Sequence, residues 1–117
     1  MNNTQQSLEQ IDAAIERAEK AILRSEEMRK FIQDPLFKKL IEKGYFEEEA
    51  ARLVLLKADP SFQDPEKQAD LDRRILGVSY FWQYVAGVLQ MGYMAARDKE
   101  QHQTTREEIL AEDLSSN

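Results

Sequence analysis

The stretch LDRRILGVSYFWQYVAGVLQMGYMAA, residues 71–96, decides the reading of the fold. Leu71, Ile75, Val78, Trp82, Val85, Leu89, Gly92 and Ala96 recur at alternating steps of four and three, the spacing of one helix face. Leu76, Tyr80, Phe81, Tyr84, Val88, Met91, Tyr93 and Met94 fill the other faces, and no charged residue falls between Ile75 and Ala96. A helix that is apolar nearly all round belongs at the centre of a fold, covered on several sides. Leu71, Ile75, Val78, Trp82, Val85 and Leu89 are therefore the expected core residues, with Trp82 buried at the middle.

The charge-free window is long enough to span a bilayer. However, Ser79, Gln83, Gln90 and three tyrosines are spread through it rather than gathered at its ends. That distribution suits a buried core helix better than a membrane span. Gly77, Gly87 and Gly92 lie in the same helix, each costing about 1 kcal/mol relative to alanine. Either close helix approach or a kink accounts for them.

Working back from this helix, Asp64-Pro65-Glu66 is a start signal, and Asp59-Pro60 ends the element before it. Asp34-Pro35 is a similar break, with Asp34 as N-cap and Pro35 at the first helical position. Leu36, Phe37, Leu40 and Ile41 make a two-turn apolar face, and Gly44 reads as the C-terminal cap of that short helix. A further short helix opens at Glu47-Glu48-Glu49, three acids suited to the positive end of a helix dipole.

The first thirty residues are polar and charged, without the apolar stretch of a secretory signal. Residues 1–7 read as frayed. Leu8, Ile11, Ile15, Ala18 and Ile22 then follow at steps of 3-4-3-4, a two-heptad seam that meets Ser25 and Arg29 and stops. Ala14, Ala21 and Met28, seven apart, form a neighbouring stripe. A helix of this kind needs a partner for its seam, on its own chain or on another. Residues 1–33 are accordingly read as a helical arm and 34–117 as a helical body with a polar tail. Beyond Arg97, Thr105 and Glu108 have capping-box spacing. They either start a short C-terminal helix or decorate a continuing one, and the Ser115-Ser116-Asn117 end reads as loose. The expected class is all-α: a helical bundle of long amphipathic, two short, long central and short terminal helices.

Chemistry is harder to find. Adjacent glutamates at 47–49 point in different directions around a helix and cannot converge on a metal, so Glu48, Glu49 and Arg52 read as ion pairing and dipole complement. His102 is the only histidine and sits in a polar run without a ligand cluster; it reads as a surface residue. There is no cysteine, no glycine-rich phosphate loop and no nucleophile elbow. No cofactor and no enzymatic activity are expected. The net charge of −6 argues against direct nucleic-acid binding. Residues 17–43 carry eight bases, but five acids are interleaved with them, which reads as a solvated salt-bridged face.

One further signal lies in the middle of the chain. Asp34-Pro35-Leu36-Phe37-Lys38-Lys39-Leu40-Ile41, then Glu42-Lys43-Gly44-Tyr45-Phe46 and Glu49-Ala50-Ala51-Arg52-Leu53, resembles a pattern in small all-helical proteins encoded by tailed bacteriophages. There a polar N-terminal helix precedes the pattern, and a long helix rich in Tyr, Gly and Met follows it before an acidic tail. The resemblance implies phage origin and a role in the virion or its assembly, and it transfers no site residues. The expected partner is a second copy or another phage protein, with the arm residues Leu8, Ile11, Ile15, Ala18 and Ile22 as the contact. The expected location is the virion or the host cytoplasm. A non-structural effector that binds one host or phage protein is the competing reading.

Overall fold

A computed structural model describes residues 3–115. The protein is all-α, with no strand among the described residues. Helix α1 spans Asn3–Gln33; α2, Pro35–Phe37, passes into a π-helical segment, Lys38–Glu49, and that into α3, Ala50–Leu56. A 3-10 turn, Pro60–Phe62, leads to α4, Pro65–Ser115. The chain forms two compact units: Met1–Glu27 with Val88–Asn117, and Met28–Gly87.

Both Asp-Pro signals act as read. The Asp34 carboxylate accepts from the Leu36 N–H at 2.8 Å, and that of Asp59 accepts from the Ser61 N–H at 2.8 Å. Each proline then occupies the start of a helical segment, where its missing N–H costs nothing.

Three boundaries need correcting. Gly44 does not cap a helix, because no glycine among the described residues has positive φ and the chain stays helical from Pro35 to Leu56. The wider π turn draws the Lys39 carbonyl oxygen to 3.2 Å from where a Cβ on residue 44 would sit, so a residue without Cβ suits the position. Thr105 does not start a helix. Its hydroxyl donates to the Gln101 carbonyl at 3.0 Å, one turn back within α4, and α4 continues to Ser115. At the N-terminus, helix begins by Asn3 despite its polar residues. The rest of the expected frayed start, residues 1–2, and of the loose end, residues 116–117, lies outside the described residues.

In the Met28–Gly87 unit, the segment Pro35–Leu56 and the first turns of α4 form an antiparallel hairpin. Leu53, only 1 % exposed, packs with Leu71 and Val78, and Tyr45, Phe46, Ala50, Leu56, Phe62 and Ile75 close around them. Tyr45 and Phe46 are consecutive, yet both rings meet Phe81, at centroid distances of 6.1 and 5.4 Å. A π turn narrows the angle between consecutive side chains, which lets both aromatics face α4. At the other end of the hairpin, Lys57 Nζ bonds Asp72 at 2.6 Å. Two glutamine side chains finish the turn: Gln63 donates to the Lys57 and Asp59 carbonyls, and Gln68 to those of Lys57 and Phe62. The Lys57 carbonyl, at the C-cap of α3, is one that the helix end leaves without a helical partner.

In the other unit, α1 and α4 run antiparallel. Arg106 bonds Asp12 at 2.8 Å, Lys99 lies 3.5 Å from Glu19, and Ser25 packs on Gly92, so the order of partners reverses between the two helices. The buried residues of this pairing are small: Ala18, Ser25, Val88, Gly92 and Ala95. Two helices bury a narrow seam between them and leave their flanks bare. Taken singly, neither unit is a closed bundle with a filled centre.

Candidate interaction surface

The arm stripe lies on the side of α1 that faces α4. Ala18 is buried, and Leu8, Ile11, Ile15 and Ile22 are half-buried. The seam does not stop at Ser25, which is 3 % exposed. Its hydroxyl donates to the Ile22 carbonyl at 2.8 Å, so its polar group is satisfied within its own helix. A serine in that state packs as a small apolar residue does. This is the position where reading the sequence by polarity alone goes astray.

On α4, Leu71 and Val78 are buried, and Ile75, Val85 and Leu89 are half-buried. Trp82 departs from the expectation: it is 57 % exposed. Within the Met28–Gly87 unit the covered side of α4 follows Leu71, Val78 and Val85, and Trp82 falls off its edge. Within each unit only one other helical segment packs against α4, which leaves much of its circumference bare. Tyr80, Tyr84, Met91, Tyr93 and Met94 accordingly remain exposed as well. Elsewhere, Leu36, Leu40, Val54 and Leu55 are exposed on the segment Pro35–Leu56. An apolar population of this size on one helix points to contact with another surface.

The unit that pairs α1 with α4 carries a groove of about 290 Å³ between the two helices. Ala14, Ala18 and Ala21 line it from α1, and Met91, Met94 and Ala95 from α4. Arg17, Asp98 and His102 complete its rim. His102 is half-buried there, more enclosed than a free surface residue.

Among the described residues, the resolved shifts of the ionisable groups fall on one pair. Arg52 donates from Nε to Glu49 at 2.9 Å, and this hydrogen bonding holds the Glu49 carboxyl below its usual range and raises the guanidinium of Arg52. The pair is an i,i+3 surface bridge. Among the described residues no group of three or more His, Cys, Asp and Glu is placed to hold a metal ion. No helix among them is long and apolar enough to cross a membrane. Comparison with known protein families, curated proteins and solved structures returns no match.

Proposed function

We propose that this protein is a non-enzymatic structural or assembly protein of a tailed bacteriophage, acting in the virion or the host cytoplasm by helix-mediated self-association. The observation that carries the reading is apolar surface left uncovered on α4, where Met91 and Met94 stand exposed beside the seam with α1. Burial of apolar area is the dominant favourable term in association, and these side chains offer it on a regular element that another helix can match. A bundle is then completed between copies rather than within one. The resemblance of residues 34–53 to small phage-encoded helical proteins supplies the biological setting, and the acidic balance fits a protein partner better than nucleic acid.

Light scattering on the purified protein tests the mechanism. A mass of two or more copies supports it, and a strict monomer across the accessible concentration range overturns it. Mass spectrometry of purified virions tests the setting. Stoichiometric presence supports a structural role, whereas absence from virions and from assembly intermediates favours an effector.

A further inference from the structure

We infer that the groove between α1 and α4 is itself the contact surface, and that its occupant is the same groove of a second copy, the four helices closing into a bundle about a twofold axis running along it. The inference rests on the self-association proposed above and names its surface and geometry. A twofold contact requires one patch to carry both a projection and the recess that receives it. This groove has both. Ala14, Ala18 and Ala21 leave its α1 wall shallow, while Met91 and Met94 stand exposed on its α4 wall. Methionine is unbranched and adapts to irregular recesses; Met94, two residues from Gly92 and so near the level of Ser25, fits over Ala21 of the other copy.

Charge makes the same choice of partner. Arg17 lines the α1 wall and Asp98 the α4 wall; both are exposed, and neither joins an ion pair among the described residues. They lie at one level of the helix pair, since the neighbouring Glu19 and Lys99 bridge across it at 3.5 Å. A twofold axis along the groove sets α1 of each copy on α4 of the other and keeps that level. Arg17 of each copy then meets Asp98 of the other, twice in one dimer. A partner of a different kind has no reason to match this arrangement; a second copy matches it by symmetry.

The test uses charge exchange on the full chain. Light-scattering mass and sedimentation equilibrium are measured for the wild type, Arg17→Asp, Asp98→Arg and the double variant, with circular dichroism confirming that helicity is kept. The expected result is an even-numbered wild-type assembly, weakened on the order of tenfold in each single variant by like charges and restored in the double variant. Single variants that associate as the wild type does, a double variant that is not restored, or a wild-type trimer would each overturn this interface while leaving self-association standing. A monomeric wild type overturns both.

Discussion

Ser25 and Gly92 occupy each other's space: a Cβ placed on Gly92 would land on the side chain of Ser25. The crossing of α1 and α4 is set by this pair, because no larger residue at either position fits without the helices separating. Gly87, five residues earlier on α4, has nothing within 4 Å of its added Cβ. The same substitution should therefore have opposite signs at the two positions. Gly87→Ala gains helix propensity and should raise stability by about 0.5–1 kcal/mol. Gly92→Ala gains the same propensity but overpacks the seam, and should lower stability by about 1–3 kcal/mol. Urea denaturation of the two variants gives the comparison. Adding Ser25→Gly to Gly92→Ala should recover most of the loss.

The glycines also show how far the sequence was legible. Three glycines in an otherwise favourable helix signal close approach or a kink, and residue spacing cannot choose between them. Close approach holds at Gly92, with Ser25, while Gly87 faces open space and Gly77 has only the Tyr45 hydroxyl at 3.8 Å. Helical class, the two Asp-Pro boundaries and most of the α4 stripe follow from local rules: periodicity, capping and the proline ring. The merger of the two short helices through Gly44, the exposure of Trp82 and the burial of Ser25 do not. Each depends on which helix lies opposite and how many layers there are, and a hydrophobic pattern says only that a residue favours cover.

Gln68 is a residue that sequence periodicity passes over. Its side-chain amide donates to the carbonyls of Lys57 and Phe62, at 3.0 and 2.7 Å, and ties the end of α3 to the start of α4. Gln63 also reaches the Lys57 carbonyl but is exposed, so water can replace it. Gln68→Ala should cost about 1–3 kcal/mol, because the partly buried Phe62 carbonyl loses its donor and that of Lys57 keeps only Gln63. Gln63→Ala should cost clearly less. Chemical denaturation ranks the two, and equal losses would remove Gln68 from this role.

Trp82 is the only tryptophan, and its emission reports one place. With 57 % of its surface exposed, it should emit as a solvent-contacting indole and be quenched efficiently by acrylamide. It does not line the groove of α1 and α4, so the inferred twofold contact predicts little change in quenching as the protein is concentrated. A blue shift with concentration would instead place the contact at Trp82.

Ile15 tests what the N-terminal stripe holds together. It lies between Asp12 and Glu19, the residues through which α1 is bridged to Arg106 and Lys99, and it is half-buried toward α4 of its own chain. Those bridges are solvent-exposed and contribute little, so the apolar seam must hold the helices together. The seam's other buried members are small, which leaves the isoleucines as its largest contributors. Ile15→Glu puts a charge into that seam and removes apolar contact, at a cost of about 1–3 kcal/mol. An isolated α1 is only marginally stable in water, so the loss should appear as fraying rather than as separation of intact helices. Hydrogen exchange should accelerate in residues 3–27 and 88–115, while amides near Leu53, Leu71 and Val78 keep their protection. Unchanged exchange throughout, accompanied by a fall in assembly mass, would mean that the stripe holds copies together and contributes nothing to the fold of a single chain.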